Sequence, residues 1–374
     1  MPIKVVVNTR FLIKNKLEGF GWFSYEILIR LVKAHPEIQF YFLFDRPYDT
    51  SFVFAENVIP IQLNPPARHP ILWYLWFEVS VSAFLKKVNA DIFISTDGYT
   101  SLNTRVKTLL FWHDLSYLHF PTHVPFTTLK YYKFFVPRFL KRADKIITFS
   151  EHSKTEIIER MSVESTKIVV SHGAARSSFT PLSIEVQNKT RQQYSAGKPY
   201  FLYVGALHPR KNVASIIKAF TIFKQKTKSE AQLLLTGRLA WQYDDILAAY
   251  NTASCKDDIH FLGHIESGLE NLIGSAYTLV YPSFYEGFGL PIIESIACKI
   301  PVIASNCASM PEVCGNAGIL VDPNSVDAIA EAMQELYLNK ALYERLQENC
   351  MAQTQKFDWE KTAEDVFHAF ISLV

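Results

Sequence analysis

Two glutamates flank a glycine turn in the second half of the chain. Glu286 and Glu294 stand eight residues apart in the segment Glu-Gly-Phe-Gly-Leu-Pro-Ile-Ile-Glu. The apolar run from Thr278 to Tyr281 is typical of a buried strand, and Pro291 suits the first turn of a helix. Glycine lets a backbone approach a ligand closely, helix N-termini attract anions, and carboxylates accept hydrogen bonds from hydroxyls. The segment therefore predicts a ligand that is part phosphate and part sugar.

A basic pair follows a second predicted strand, Tyr200–Val204. The loop begins at Gly205 and reaches Arg210 and Lys211 just before a helical pattern. A forked guanidinium and a point-charge ammonium together suit neighbouring phosphates. A solvated basic loop is the alternative, but ligands of α/β sheets bind at the carboxyl ends of strands, and this loop starts there.

Short β-rich runs alternate with helical patterns along the chain, which predicts parallel sheets. A length of 374 residues exceeds one ordinary domain and indicates two. The segment 171–199 lacks a strong period and is predicted to be a linker. The predicted strands are Lys4–Asn8, Gln39–Phe44, Ile92–Ser95, Lys107–Phe111 and Ile146–Phe149, then Tyr200–Val204, Gln232–Leu235, Ile259–Leu262, Thr278–Tyr281 and Val302–Ser305.

Composition narrows the class of protein. The net charge of +2, from 38 bases and 36 acids, provides no overall field for nucleic acid, so no nucleic-acid partner is expected. The five cysteines include no C-x-x-C pair and are expected to be reduced, intracellular thiols. The chain starts directly with a predicted strand, and its most apolar window, Pro70 to Leu85, is interrupted by Glu78. A cytoplasmic enzyme without transmembrane helices is expected.

The spacing of the two glutamates, with Arg210 and Lys211 in register, resembles the donor-site motif of retaining GT-B glycosyltransferases of family 4. That family includes bacterial mannosyl- and glucosyltransferases of surface polysaccharides, and the resemblance covers nearly the whole chain. It implies an α/β fold of the GT-B class, with two doubly wound Rossmann-like domains facing a cleft. Residues 1–175 would form the acceptor-binding domain and residues 176–356 the nucleotide-sugar-binding domain. The terminal helix, 357–374, would cross back to the first.

The resemblance also implies roles for individual residues. Glu294 would accept hydrogen bonds from the nucleotide ribose, and Glu286 from hydroxyls of the donor sugar. Arg210 and Lys211 would bind the diphosphate. The remaining positions would supply the turn that meets the diphosphate and sugar: Phe288, Gly289 and Leu290.

Five further positions are assigned in the same way. His113, after the strand Lys107–Phe111, would lie beside the reacting sugar, although a lone histidine more often has a structural hydrogen bond. Gly19 and Gly21 belong to a glycine-containing loop that would lie over the phosphates and the acceptor. Gly205 would begin the loop that binds the diphosphate, and Gly237 lies at the position where the family binds the nucleotide base.

No Asp-x-Asp pair occurs, so no metal site is expected, and no cofactor besides the donor, a GDP- or UDP-linked sugar. The predicted reaction is transfer of a hexose, with a preference for mannose, to a glycan or lipid-linked acceptor with retention. A sugar-nucleotide hydrolase or epimerase and an inactive GT-B binding module are the alternatives. An NAD-dependent dehydrogenase is disfavoured: Gly19-x-Gly21-x-x-Ser24 imitates the dinucleotide fingerprint, but the preceding loop is too long for its tight turn.

A basic and aromatic segment lies in the first half. From Leu115 to Ala143 there is no acidic residue. Bases near an anionic leaflet and aromatic rings at headgroup level both favour a membrane surface, so peripheral binding at the inner face of the cell membrane is expected. A helix with a solvated basic face is the alternative. The bases are Lys130, Lys133, Arg138, Lys141 and Arg142, and the aromatic residues are Tyr131, Tyr132, Phe134, Phe135 and Phe139.

Overall fold

The computed structural model describes residues 2–17, 19–238 and 243–374. The chain divides into two compact units. One comprises Met1–Gly173 together with Asp358–Val374, and the other comprises Ala174–Phe357. Each unit has one parallel sheet whose strands are connected by helices. The prediction of two doubly wound α/β domains is confirmed.

Seven strands form the sheet of the first unit. They are β1 (Lys4–Asn8), β2 (Gln39–Phe44), β3 (Val58–Gln62), β4 (Ile92–Ser95), β5 (Lys107–Phe111), β6 (Lys145–Thr148) and β7 (Ile168–Val170). They run parallel in the order β3-β2-β1-β4-β5-β6-β7. In this register Val6 lies opposite Tyr41 on one side and Phe93 on the other. Both faces of such a sheet are covered by helices, which is why the central strands are continuous apolar runs.

The helices of this unit before residue 173 are α1 (Gly19–Ala34), α2 (Pro70–Leu75), α3 (Ser82–Val88), α4 (Ser116–His119), α5 (Phe126–Arg142) and α6 (Glu151–Met161). A π-helical turn, Trp76–Val81, joins α2 directly to α3. Buried aromatic side chains from this run and from α5, among them Trp76, Phe77 and Phe139, belong to one core cluster with Phe93 of β4.

The second unit has six parallel strands: β8 (Tyr200–Val204), β9 (Gln232–Thr236), β10 (Ile259–Gly263), β11 (Thr278–Tyr281), β12 (Val302–Ser305) and β13 (Gly318–Val321). Their order is β10-β9-β8-β11-β12-β13. The helices are α7 (Ile184–Ser195), α8 (Val213–Thr227), α9 (Asp244–Thr252), α10 (Leu269–Gly274), α11 (Leu290–Ala297), α12 (Met310–Cys314), α13 (Val326–Leu338) and α14 (Lys340–Thr354).

The last helix, α15 (Trp359–Ile371), belongs to the first unit. It packs along α1. Trp359 meets Phe23 edge to face at 5.3 Å, Glu360 accepts a 2.7 Å hydrogen bond from Arg30, and Phe367 stacks on His35 at 3.6 Å. The first unit is therefore assembled from two distant stretches of chain.

All ten predicted strands are present, with ends that differ by no more than a residue. Three strands were not predicted, namely β3, β7 and β13. Each of them is the edge of its sheet. These three strands are only partly buried and give no continuous buried apolar run. In β3 the signal is weakened further by Pro60.

The predicted linker 171–199 is wrong in part, because α7 occupies Ile184–Ser195. Ser183 caps this helix by accepting from the backbone N–H of Val186. The side chains that α7 buries are Thr190 and Ser195, which are small and polar. The helix therefore lacks the apolar stripe by which a helix is recognised in sequence.

In both sheets the strand order reverses at one point, between β1 and β4 in the first unit and between β8 and β11 in the second. Loops leave these neighbouring strands in opposite directions, which opens a crevice at their carboxyl ends. No helix in the described ranges is long and apolar enough to cross a membrane.

Candidate active site

The loops that follow β8 and β9 meet at two glycines. Gly205 and Gly237 have φ values of +148° and +143°, a region that favours glycine. A Cβ on Gly237 would lie only 1.8 Å from the carbonyl oxygen of Gly205. The N–H of Gly205 donates to Thr236 at 3.0 Å. Close backbone packing thus requires glycine at position 237. That Gly237 lies beside the nucleotide base of the donor stays a prediction.

The basic pair lies in a 3₁₀ turn, Pro209–Lys211, between β8 and α8. His208 caps the turn by accepting from the N–H of Arg210 at 3.2 Å. Asn212 then takes a left-handed conformation, with φ of 62°. Its side-chain amide donates to the carbonyls of Pro282 at 3.0 Å and Pro323 at 2.7 Å. These bonds fix the turn against the loops that follow β11 and β13.

Both cations contact the first of the two glutamates. Lys211 Nζ lies 2.5 Å from Glu286 Oε1 and 2.9 Å from the Tyr281 hydroxyl. Arg210 Nη1 lies 3.3 Å from Glu286 Oε2 and also donates to the carbonyl of Tyr285. Since the cations follow β8 and Glu286 follows β11, the cluster flanks the reversal point of the sheet. The structure brings together the two motifs that were read separately in the sequence.

The charge state of Glu286 follows from these contacts. Burial by itself would raise the pKa of the carboxyl, but Lys211 and Arg210 outweigh it and lower the pKa to about 2. Glu286 is therefore a carboxylate at physiological pH and can accept hydrogen bonds but cannot donate a proton. Two cations and one carboxylate leave the cluster with a surplus of positive charge, which suits an anionic ligand.

The glycine turn between the two glutamates is stabilised by hydrogen bonds from Ser309 and by packing of Phe288. Ser309 Oγ lies 2.9 Å from the carbonyl oxygen of Glu286 and 2.8 Å from that of Phe288. The Phe288 ring is buried and meets Phe357 edge to face at 5.7 Å. Gly289 has φ of +107° and precedes α11, which begins at Leu290 with proline in its first turn. The predicted start of the helix is confirmed, and its first N–H groups follow directly on the turn.

The second glutamate has a different partner. Glu294 lies inside α11, and its Oε1 accepts from Arg176 Nη2 at 2.9 Å and from Nε at 3.0 Å. Burial raises the pKa of Glu294, and Arg176 opposes that rise without cancelling it. The two acids of the motif thus differ in electrostatic surroundings. Glu286 is held strongly ionised, whereas Glu294 is ionised less readily.

His113 lies in the first unit, where it follows β5. Its ring is buried against Phe149, at 4.7 Å between centroids, and Phe20, at 4.0 Å. Nε2 lies 3.0 Å from the carbonyl oxygen of Thr96. Because a carbonyl only accepts, the proton is on Nε2 and the lone pair is on Nδ1. Burial lowers the pKa of His113 to about 4, so the ring is neutral at physiological pH.

Comparison with known proteins identifies the family. Residues 18–174 match the family described as Glycosyltransferase Family 4, and residues 186–353 match Glycosyl transferases group 1. O-antigen chain mannosyltransferase B of Escherichia coli is 33% identical over 373 residues, which cover 96% of this chain and 97% of that protein. The chain belongs to glycosyltransferase family 4. A more distant relative, O-antigen chain mannosyltransferase RfbU of Salmonella typhimurium, is 27% identical over 289 residues, 76% of each chain.

Solved structures agree on the fold of this family 4 glycosyltransferase. Sucrose-phosphate synthase from Thermosynechococcus elongatus has a TM-score of 0.80 at 20% identity, with 99% of each chain covered. Anabaena Alr3699/HepE, solved in complex with UDP and glucose, has a TM-score of 0.77 at 17% identity, covering 99% of this chain and 100% of that one. The expected GT-B fold is confirmed.

The glycines near the start of this glycosyltransferase differ from expectation. Gly19 and Gly21 were placed in a loop, but α1 begins at Gly19, so both lie in its first turn. A Cβ on Gly21 would lie 2.9 Å from Leu17 Cδ2 and 3.2 Å from the carbonyl oxygen of Phe11, so packing requires a small residue there. Gly19 has no such neighbour within 4 Å among the described residues. Glu18, which precedes them, lies outside the described residues.

Arg176, which pairs with Glu294 of the motif, was not predicted from the sequence. It stands 118 positions from Glu294. The one available signal was a single base, Arg176, in a stretch of small and polar residues. That signal is too common to indicate an ion pair with a buried acid.

Proposed function

We propose that this family 4 glycosyltransferase transfers mannose from GDP-mannose to a glycan or lipid-linked acceptor during synthesis of a surface polysaccharide, at the cytoplasmic face of the membrane. The observation that carries the proposal is the cluster of Arg210, Lys211 and Glu286 at the reversal point of the second sheet. The preference for mannose rests on the two O-antigen mannosyltransferases to which the chain is similar.

In the proposed reaction Arg210 and Lys211 bind the diphosphate of the donor. Negative charge grows on the leaving diphosphate as the bond from the anomeric carbon to its phosphate oxygen breaks. Positioned donors are worth about 3 kcal/mol each when they face such developing charge. The 3₁₀ turn and the bonds of Asn212 fix the two cations in advance, so little reorganisation is needed when the donor binds.

The configuration at the anomeric carbon is proposed to be retained without a glycosyl-enzyme. In retaining glycosidases one carboxylate is the nucleophile and a nearby carboxylic acid protonates the leaving group. Glu286 is instead bonded to two cations and has a pKa of about 2, so it is a weak nucleophile and a weak base. The acceptor hydroxyl attacks the same face that the diphosphate leaves, and its proton passes to a phosphate oxygen.

Three side chains are proposed to accept hydrogen bonds from sugar hydroxyl groups. Glu286 accepts from the sugar, and Glu294 accepts from the ribose. His113 offers the lone pair on Nδ1 to a sugar hydroxyl. Its pKa of about 4 makes the ring a hydrogen-bond acceptor at physiological pH and a poor general base.

A donor screen tests the proposal. The purified protein is incubated with GDP-mannose and with UDP-linked glucose, galactose and N-acetylglucosamine, each with and without a lipid-linked acceptor. We expect acceptor-dependent release of GDP from GDP-mannose, an α-mannosyl product by NMR, and unchanged rates in EDTA. Glu286→Gln should lower turnover, while Glu335→Gln on α13 serves as the control.

Each contrary result in that screen has a meaning. Release of sugar without an acceptor would indicate a hydrolase, and conversion of the nucleotide sugar would indicate an epimerase. Nucleotide binding without turnover on any donor would indicate a binding module. Loss of activity in EDTA would reject the metal-independent mechanism, and a covalent sugar adduct on Glu286 would reject its positional role.

A further inference from the structure

One side of the first unit exposes apolar and basic side chains together. They lie on the helical run from α2 to α3 and on α5, and they are called the α2–α5 face. Its apolar members are Ile71, Tyr74, Leu75, Val79, Phe126 and Phe134, and its basic members are Lys130, Lys133, Arg138 and Lys141.

The apolar half lies on α2 and the π-helical turn. Ile71, Tyr74, Leu75 and Val79 recur with helical spacing and are all exposed, Ile71 and Val79 to 64% and 57%. The opposite side of the same run packs Trp76 and Phe77 into the core. The run is therefore apolar on both sides, and only its inner side is covered by the protein.

The basic half lies on α5, which has two distinct aromatic stripes. Tyr131, Phe135 and Phe139 face inward and stack on one another at 4.4 and 5.6 Å. On the outer side, Lys130 lies over the ring of Phe126 at 4.3 Å, and Arg138 lies over the ring of Phe134. The outward aromatic rings thus carry cations directly on their faces.

The two halves adjoin through contacts between aromatic rings. Tyr74 meets the half-buried Phe135 with 6.0 Å between ring centroids, and Phe135 meets the exposed Phe134 at 4.9 Å. One ring thus links the exposed side of α2 to the outer side of α5. The basic residues of α5 could be recognised in the sequence. The apolar residues of the preceding run could not be connected with them, because the run comes next to α5 only in the fold.

Acidic residues are nearly absent from these segments. Residues 58–90 and 115–143 contain one acid, Glu78. Glu78 is buried and accepts from the N–H groups of Leu102 and Asn103 at 2.8 and 3.0 Å. Arg142, which was predicted to be one of the membrane-facing bases, instead donates to the carbonyls of Thr104 and Val106. The exposed charge of the face is therefore positive.

We propose that the α2–α5 face binds the surface of a lipid bilayer that contains anionic lipids. Apolar side chains on a helix of this kind enter the boundary between headgroups and acyl chains, aromatic rings favour the headgroup level, and bases attract anionic lipids. The face combines all three. Its positive charge and lack of exposed acids favour an anionic bilayer over a second copy of this nearly neutral chain. The inference goes beyond the proposed glycosyl transfer and does not depend on it.

Sedimentation with vesicles tests the inference without any measurement of activity. The full-length protein is mixed with vesicles of phosphatidylcholine alone or of phosphatidylcholine with phosphatidylglycerol. We expect binding to the anionic vesicles that weakens as salt is added, because the electrostatic attraction is screened. Analytical ultracentrifugation of the protein alone reports whether the face joins two copies instead.

Two sets of variants separate the halves of the face. Lys130→Glu, Lys133→Glu and Lys141→Glu together should weaken binding to anionic vesicles at least about tenfold. The control changes three exposed lysines of the second unit in the same way, Lys226, Lys256 and Lys340. Ile71→Ser with Val79→Ser should reduce the binding that survives in high salt. Its control is Ile184→Ser with Leu338→Ser, which removes apolar side chains of similar exposure from the second unit.

Three results would overturn the inference. The first is no binding to anionic vesicles at low salt by a protein that circular dichroism shows to be folded. The second is equal losses in the face variants and in their controls. The third is a dimer in solution that the Ile71→Ser with Val79→Ser variant converts to monomer, which would make the face a contact between two copies.

Discussion

Both sheets have an arginine and an acid at the point where the strand order reverses, yet the two arrangements differ in access. In the first unit Arg10 follows β1 and pairs with Asp97 after β4. In the second unit Arg210 and Lys211 follow β8 and pair with Glu286 after β11. The Arg10 side chain is 3% exposed, whereas those of Lys211 and Arg210 are 15% and 20% exposed.

The pair in the first unit is closed on all sides. Arg10 donates to the carbonyl of Ala67 at 3.3 Å, and its guanidinium lies 4.5 Å from the ring of Tyr99 and 5.3 Å from that of Phe77. This pair fills its crevice, while the cluster in the second unit lines one. Solvent access therefore separates the buried Arg10–Asp97 pair from the cluster that is proposed to bind the diphosphate.

The largest effect on stability is expected from breaking the closed pair. Arg10→Ala leaves Asp97 buried without its cation, which should lower the free energy of unfolding by about 3–5 kcal/mol. Urea denaturation followed by circular dichroism measures the change. Arg10→Met combined with Asp97→Leu should recover much of the loss, because that variant leaves no unpaired charge. Normal stability with lost activity would show that the closed pair is functional after all.

The open cluster should respond in the opposite way. Lys211→Ala should lower kcat/KM about a hundredfold, as expected for a lost donor worth about 3 kcal/mol in the transition state. Glu286 keeps Arg210 as a partner, so stability should change little. Binding of GDP should fall more than binding of guanosine, as measured by calorimetry, with Lys226→Ala as the control. Equal losses of affinity for GDP and guanosine would indicate that Lys211 does not contact the diphosphate.

The second glutamate should affect nucleotide binding more than turnover. Glu294→Ala removes the proposed acceptor of the ribose hydroxyls and should cost about 1–3 kcal/mol of GDP affinity. The sharper readout is 2′,3′-dideoxy-GDP. The wild type should prefer GDP to this analogue, and the variant should bind both alike. A preference that survives the substitution would reject the proposed role of Glu294.

The smallest effect is expected at Arg176. Arg176→Met removes the cation that opposes the raised pKa of Glu294, so that pKa should rise further. A raised pKa means that the folded protein binds the proton more tightly than the unfolded chain, so stability falls as pH rises through this pKa. Because the carboxyl of Glu294 should become protonated at a higher pH in the variant, its GDP affinity should decline on acidification at a higher pH than in the wild type. If the calorimetric pH profiles of GDP affinity coincide for the wild type and the variant, Arg176 does not influence the pKa of Glu294.

Much of the fold was predictable because the central strands are buried on both faces. Runs such as Tyr200–Val204 and Thr278–Tyr281 are buried throughout, and their ends were predicted to the residue. Edge strands such as β13 and the polar helix α7 lack that signal. Their formation depends on neighbours that lie elsewhere in the chain.

The candidate site shows the same division. Arg210 and Glu286 could be predicted to share one edge of a sheet, since each follows a buried strand. Their direct pairing could not, because it depends on the geometry of two loops. The Arg176–Glu294 pair could not be predicted from the sequence for the same reason. The glycines of α1 were misplaced because Gly-x-Gly is typical of turns, whereas here Gly21 makes room for Leu17.

The two-part construction of the first unit affects the order in which the protein matures on the ribosome. Its closing helix, α15, is made about 185 residues after Gly173. At 5–20 residues per second this is a delay of roughly ten to forty seconds. During that time the sides of Phe23 and His35 that α15 will cover lack their partners. The second unit is continuous in the chain and can complete its core first. The two units therefore finish folding in the reverse of the order in which their synthesis begins.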